Sequence, residues 1–409
     1  MIIDLPRHRS RWAAAQGPHM SQPGARILGF EVTQAIQNMK HDVHLIAGKA
    51  TVVRVYLDPQ GLSANMRVRG EIVVSTRPGA PGIYVRSDNE TTLNCKQHPV
   101  LDAQRRDATL SLNFLLRAPV EGDMTVQLKR VMPAVGGIDF PVLPQDNQVQ
   151  VRFERGPVLR MRVLGFRYTD KRSNQPVQHA PASIHFDRLR SYLRRTYPVS
   201  AVEWSQAVVD APTNFAPPFA GTQLPNGRDP LWEALLDTLH QYLLTLRQAD
   251  MNAGWDPRTH YYGLVSDHSG FFRGAANDIP GKPAPNTIAV GPCGTPGDAH
   301  WDKGDGSYGD WYGAHELAHT FGRFHPGFCK QQEKSDLHFP HPKGAISQKA
   351  EDCIGFDTGD IEQKLPMRAC PHEKWHDLMT YCDYQWISKH TYDAIHGRLL
   401  AEEAEFARR

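Results

Sequence analysis

Three histidines and one glutamate lie within eleven positions of the stretch GAHELAHTFGRFHPGFC, residues 313–329. On a helix, His315 and His319 are four residues apart and lie one turn above the other on the same face. Gly322 follows where helices commonly end in a left-handed residue, which glycine adopts cheaply, so the chain can turn and bring His325 back. Three neutral imidazoles fill three corners of a tetrahedron and leave the fourth open. This spacing predicts a catalytic site for one zinc ion.

Glu316 follows His315 directly but is not needed as a ligand. Its carboxylate can lean over the metal and take the proton of a water in the open corner, as a general base does. The competing interpretation, surface histidines on an ordinary helix, requires five fixed positions to coincide without a shared role. We therefore predict zinc-assisted hydrolysis with Glu316 as the base, on a helix capped by Asp310 or Ser307.

The pattern HExxHxxGxxH resembles the zinc signature of the metzincin metallopeptidases, which also carry a Met-turn downstream. The stretch HDLMTYC, residues 376–382, is similar to that turn, with Met379 as its methionine. The resemblance implies that Met379 forms a hydrophobic floor beneath the metal. In the serralysin-like and astacin-like branches a tyrosine at the offset of Tyr381 helps to stabilise the transition state, which implies the same role here. Asp377 stands where the family often has a small residue.

A wider resemblance links the chain to bacterial reprolysin-like or M66-like peptidases. It rests on EVTQAIQ and AGKATVVRVYL near the N-terminus and on MTYCDYQWISKHTYDAI near the C-terminus. Such proteins join a β-sandwich to a metzincin domain. The resemblance therefore implies the same multidomain organisation and loosely covers most of the chain.

The N-terminal region is predicted to be all β. Residues 1–24 include GPHM, which looks like the remnant of a cleaved tag, and we expect them to form a flexible arm. Residues 25–156 alternate apolar and polar side chains in short runs separated by turn clusters such as DPQG and PVEGD. Several short strands at this spacing predict a β-sandwich of immunoglobulin-like or fibronectin-like type.

Residues 157–409 mix strand and helix patterns and predict an α+β metzincin domain with a twisted mixed sheet and an active-site helix. By resemblance to metzincins, the substrate binds extended along the edge strand before the last strand ahead of that helix. That strand is GFFRGAA, residues 270–276, with the candidate substrate-binding residues Phe272, Gly274, Ala275 and Ala276.

Six cysteines are present, and four of them crowd into the last fifth of the chain. This clustering favours disulfides around one region and an oxidising compartment. Cys329 lies four residues after the third ligand and Cys382 three after the Met-turn methionine, so we predict a bridge between them. Cys353 and Cys370 form the natural second pair, which leaves Cys95 and Cys293 free or unresolved. We therefore expect a secreted or extracellular protein, although the chain shows no signal peptide.

The composition limits the kinds of partner that we expect the chain to bind. The formal charge is +2 in 409 residues, which gives no electrostatic case for nucleic acid. No apolar run approaches the ~18 residues that cross a bilayer. We expect a monomeric zinc endopeptidase that acts on a protein or peptide, glycoproteins included. The alternative is a binding or adhesion protein with a catalytically silent metzincin domain, and a third option is a zinc hydrolase of a non-peptide amide. The intact Glu316 favours the enzyme.

Overall fold

The computed structural model describes residues 23–76, 81–170, 175–213, 215, 230–266, 274–294, 309–329, 334–348 and 353–407. Residues 1–22 of the predicted arm lie outside these ranges. Across the described ranges the protein is a mixed α/β chain in which strands predominate, with several sheets and five α-helices.

Two sheets make up the N-terminal region, where alternating apolar residues predict strands. The elements are β1 (Gly24–Thr33), β2 (Ile36–Gln37), β3 (Leu45–Ile46), β4 (Thr51–Gln60), β5 (Met66–Ser75), β6 (Ile83–Arg86), β7 (Thr91–Leu93), α1 (Leu101–Arg106), β8 (Leu112–Leu116), β9 (Gly122–Pro133), β10 (Val142–Leu143) and β11 (Val149–Glu154). One sheet has the order β10-β1-β4-β8, and the other has the order β3-β11-β9-β5-β6 with β7 beside β5. Buried residues of both sheets, such as Val55 and Val126, share one hydrophobic core.

A mixed six-stranded sheet dominates the C-terminal region. The elements are β12 (Val158–Asp170), β13 (Val177–His179), α2 (Ser183–Thr196), β14 (Ala201–Asp210), α3 (Pro230–Asn252), β15 (His260–Ser266), β16 (Ala275–Ala276), β17 (Ile288–Cys293), α4 (Gly309–Thr320), β18 (Ile354–Asp357), β19 (Arg368–Cys370), β20 (His376–Asp377), β21 (Gln385–Trp386) and α5 (Lys389–Phe406). Strands β14, β12, β15 and β17 are parallel, whereas β16 runs antiparallel to β17 at the edge of the sheet. The predicted mixed sheet and helices are therefore present.

Helices cover both faces of this sheet, which explains why β15 and β17 are buried along their whole length. Successive residues alternate between the two sides: Tyr262 packs into the core shared with α2 and α4, and Tyr261 packs into the core shared with α3. In β17, Ala289 and Val290 divide between the same two cores. The sheet thus places α4 firmly against one face, with the edge strand β16 beside it.

The two regions are joined by the EVTQAIQ stretch. Strand β2 pairs antiparallel with β18, so a segment from the N-terminal region completes a three-stranded sheet of the C-terminal region. Ala35, Ile36 and Val43 lie in the core that also contains α4, and the indole N–H of Trp386 donates to the Ala35 carbonyl at 2.7 Å. The predicted boundary at residues 156 and 157 therefore separates regions that share a sheet.

The glutamines of the same stretch hold it in place. The Gln34 side chain accepts the N–H of Ile46 and donates to the Ile46 carbonyl, both at 2.7 Å. The Gln37 side chain bonds both backbone groups of Val43 in the same way, at 3.0 and 3.1 Å. Each amide replaces a strand partner, which satisfies backbone groups that would otherwise be buried without hydrogen bonds.

Candidate metal centre

Helix α4 carries two of the predicted ligands and ends as the sequence predicts. Gly322 has φ of +79°, in the left-handed region. Its N–H donates to the carbonyl of His319 at 2.8 Å, and the N–H of Arg323 donates to the carbonyl of Ala318 at 3.0 Å. This bond pair is the Schellman motif, which ends a helix and reverses the chain. It directs the following residues back toward the helix.

The start of α4 differs in detail from the prediction. Asp310 lies in the first helical turn, where its carboxylate accepts the N–H of Trp311 at 2.8 Å. The other predicted cap, Ser307, lies outside the described residues. Further along, a Cβ on Gly313 would lie 2.8 Å from Leu189 of α2, so glycine allows the two helices to approach closely.

The three predicted ligands bring their Nε2 atoms together. Nε2 of His325 lies 3.1 Å from Nε2 of His315 and 3.0 Å from Nε2 of His319. A tetrahedral zinc ion about 2.0–2.1 Å from each nitrogen would hold the nitrogens about 3.3 Å apart. The observed spacing is close to that value. Among the described residues, these three histidines form a group that could hold a metal ion.

The outer nitrogens of the ligands on α4 are also fixed. Nδ1 of His315 lies 2.8 Å from the carbonyl of Leu378, and Nδ1 of His319 lies 2.7 Å from the carbonyl of Arg323. A carbonyl can only accept, so both rings carry their proton on Nδ1 and turn the lone pair of Nε2 inward.

Burial keeps all three rings neutral. It lowers the pKa of His319 to about 4 and, together with the nearby His319, the pKa of His325 to about 3. Burial and the two neighbouring imidazoles hold the pKa of His315 well below its usual range. A metal ligand must be unprotonated, and the three neutral rings meet that requirement near neutral pH.

Glu316 is buried beside the ligands and touches the edge strand. Burial raises the pKa of its carboxyl group to about 8, and a hydrogen bond from the N–H of Ala276 partly opposes that shift. A Cβ on Gly274 would lie 2.7 Å from Cγ of Glu316 and 2.6 Å from the carbonyl oxygen of Val290. Position 274 therefore has room only for glycine, and its backbone packs directly on the predicted base.

Two further side chains hold β16, and the sequence prediction missed both. The N–H of Gly274 donates to Oη of Tyr312 at 3.1 Å, and Nε2 of His240 lies 3.0 Å from the carbonyl of Ala275. Tyr312 could have been found, because it lies four residues before Glu316 on the same helix face. His240 gives no such signal, because it reaches the strand from α3. Phe272, the remaining predicted residue of the strand, lies outside the described residues.

The predicted Met-turn contacts the first of the three predicted ligands, His315. Met379 is 1% exposed in the core shared with α4, and the preceding residue supplies the carbonyl that orients His315. Asp377, the apparent departure from the family, is fully buried and holds the turn. Its carboxylate accepts the N–H of Met379 at 2.8 Å and the N–H of Ser388 at 3.1 Å.

Tyr381 is half-buried and lies against the ligands. Its ring centroid is 5.1 Å from that of His325 and 5.8 Å from that of His315. The structure therefore brings Tyr381 together with two of the three predicted ligands.

One of the two predicted disulfides is present. Cys329 and Cys382 are bridged, with their Cα atoms 5.1 Å apart, which ties the loop after His325 to the Met-turn. Cys353 and Cys370 are buried thiols and do not form the second bridge. In β18 and β19, Gly355 lies opposite Cys370, so Cys353 is offset by two residues. Such residues have Cα atoms about 7–8 Å apart, beyond the usual span of a disulfide.

The sequence matches no protein-family model and no curated protein.

Among the described residues, no helix combines the length and apolar character needed to cross a membrane.

Proposed function

We propose that the protein is a zinc-dependent endopeptidase of metzincin type, joined to an N-terminal β-sandwich domain of immunoglobulin-like or fibronectin-like type. The observation that carries this proposal is the convergence of the Nε2 atoms of His315, His319 and His325. The buried carboxylate of Glu316, which follows His315 on α4, adds the proton acceptor that hydrolysis requires.

A zinc ion held by these nitrogens would act as a Lewis acid on a carbonyl and on water. Glu316 takes a proton from the attacking water and later passes it to the leaving amine. Burial raises the pKa of this carboxyl group to about 8, and a zinc ion held beside it would lower that pKa, which favours the unprotonated form that a general base needs near neutral pH. The N–H of Ala276 fixes the orientation of the carboxylate.

The substrate lies extended beside β16, as it does on the edge strand of metzincins. The strand occupies the edge of the mixed sheet next to α4, so a bound peptide would pass over Glu316. Tyr381 lies against two ligands and can donate its hydroxyl to the developing oxyanion.

A silent binding or adhesion protein is the alternative. Such a protein has no need to keep a base, three ligands and the turn below them. Here Glu316 is present and buried, the rings of His315 and His319 are oriented by backbone carbonyls, and burial keeps all three rings neutral. We therefore favour the enzyme, and the disulfide beside the site supports our proposal that it is secreted.

The test measures metal content and cleavage in the same preparations. Protein purified without added metal should contain one zinc per chain, and His319→Ala should lose it. Glu316→Gln should keep the zinc and lose turnover of a peptide library by several orders of magnitude, because the proton acceptor is removed. Glu362→Gln, which changes an exposed glutamate, serves as the matched control and should behave like the native chain.

Three results would count against the proposal. Full zinc occupancy in His319→Ala would show that the ligand assignment is wrong. A near-native rate of peptide cleavage in Glu316→Gln would show that the proposed mechanism is wrong. A native chain that binds zinc and cleaves no peptide would favour the binding protein.

A further inference from the structure

A group of polar side chains next to the metal centre takes no part in the proposed chemistry. Oδ2 of Asp336 lies 2.9 Å from Nη2 of Arg323 and 2.9 Å from Nε2 of His390. Nη2 of Arg323 and Nε2 of His390 are 2.7 Å apart. We call Arg323, Asp336 and His390 the clamp. The side chains of its ion pair are only 14% and 10% exposed, so the pair is shielded from water and salt.

The clamp reaches the second ligand through Arg323. The backbone carbonyl of Arg323 accepts the Nδ1 proton of His319 at 2.7 Å. When the guanidinium of Arg323 is held by Asp336, the residue that carries this carbonyl is held as well. Such outer hydrogen bonds fix the orientation and basicity of a metal-binding imidazole.

The clamp reaches the third ligand through the backbone of Asp336. The carbonyl of His325 accepts the N–H of Asp336 at 2.7 Å and the N–H of Ser335 at 2.9 Å. The N–H of His325 donates to Oγ of Ser335 at 3.2 Å. Both backbone groups of His325 are therefore bonded to this short segment, and Asp336 connects that segment to Arg323.

We propose that Asp336 is a positioning residue for the metal centre, which aligns His319 and His325 through the clamp before the ion binds. The inference rests on the zinc site of the proposed function but not on its peptidase activity. The remaining ligand, His315, is oriented by the carbonyl of Leu378 instead, so the clamp governs two of the three nitrogens. A preorganised ligand set binds its metal more tightly, because less order must be gained on binding.

The experiment measures the zinc dissociation constant by competition with a chromophoric chelator, without any use of activity. Asp336→Asn keeps the shape and the backbone N–H but removes the charge that holds Arg323. We expect zinc to bind about 10- to 100-fold more weakly, as after loss of other outer partners of metal ligands. Arg323→Met removes the other half of the pair and keeps the carbonyl. It should weaken binding similarly, and the double variant should add little, because both changes break one contact.

Asp250→Asn is the matched control, because it breaks a similarly shielded ion pair, Arg162–Asp250 between β12 and α3, whose described contacts include neither the clamp nor a predicted ligand. It should bind zinc within twofold of the native chain. Native affinity in folded Asp336→Asn would overturn the inference and leave the peptidase intact. If Asp336→Asn does not fold, native affinity in Arg323→Met overturns it. A native chain that binds zinc without cleaving peptides overturns only the proposed function.

Discussion

Replacement of Gly322 by alanine tests whether the turn after α4 sets the geometry of the metal centre. At φ of +79° a Cβ on residue 322 would lie 2.5 Å from Nη2 of Arg398 and 2.7 Å from the carbonyl oxygen of Pro280. The arginine end can move away, but the carbonyl belongs to the backbone. A comfortable contact is about 3.5 Å, so the turn must shift by roughly 0.8 Å.

A second glycine, Gly254, allows the backbone strain of a left-handed residue to be measured separately from the displacement of the turn. Gly254 follows α3 with φ of +89° and the same Schellman motif. Its N–H donates to the carbonyl of Met251 at 3.0 Å, and the N–H of Trp255 donates to the carbonyl of Asp250 at 3.1 Å. No atom lies within 4 Å of a Cβ there. Gly254→Ala therefore measures the left-handed strain alone, which is about 1–2 kcal/mol for an L-residue.

Gly254→Ala should lose about 1–2 kcal/mol of unfolding free energy in metal-free urea titrations. Gly322→Ala should lose at least as much, because it adds the contact with the Pro280 carbonyl. Only Gly322→Ala should also lose zinc affinity, because the turn lies between His319 and His325 and a site tolerates only about 0.5 Å of error. We expect a loss of at least about tenfold, or about 1.4 kcal/mol, by chelator competition. Native zinc affinity in Gly322→Ala, or an equal loss in Gly254→Ala, would refute the reasoning.

Two further predictions concern the Met-turn. Tyr381→Phe should lower kcat on a peptide substrate by about 10²-fold with zinc content unchanged, the scale of one lost oxyanion donor; an unchanged kcat would leave the tyrosine a packing role. Joint replacement of Cys329 and Cys382 by serine should lower the unfolding free energy by about 4 kcal/mol in urea, the loop-entropy value for a sequence separation of 53. Cys95→Ser is the control, and an equal midpoint for the double variant and the native chain would show that the bridge contributes nothing.

The candidate site could be predicted where its information is local. The spacing of His315, Glu316 and His319 follows from one helical turn, and the left-handed Gly322 follows from the chemistry of helix ends. The bridge between Cys329 and Cys382 could be predicted from the resemblance, because the segment after His325 and the Met-turn were both expected to lie below the metal.

The remaining features depend on contacts between distant segments. Asp336 and His240 act on the site from outside the motif, and no periodicity connects them with α4. Asp377 departs from the family pattern in sequence, yet its buried carboxylate holds the turn through two backbone N–H groups. The predicted bridge between Cys353 and Cys370 was wrong because strand register, which sequence spacing does not reveal, sets the two residues apart.

The pairing of β2 with β18 limits how independently the two regions of the chain can evolve. A chain cut at residue 157 would lose Ala35 and Ile36 from the core around α4 and would leave one edge of β18 without its strand. The indole N–H of Trp386 would also lose its acceptor inside the protein. Because burial without these partners is costly, we expect the region around the candidate metal centre to need the EVTQAIQ stretch for its stability.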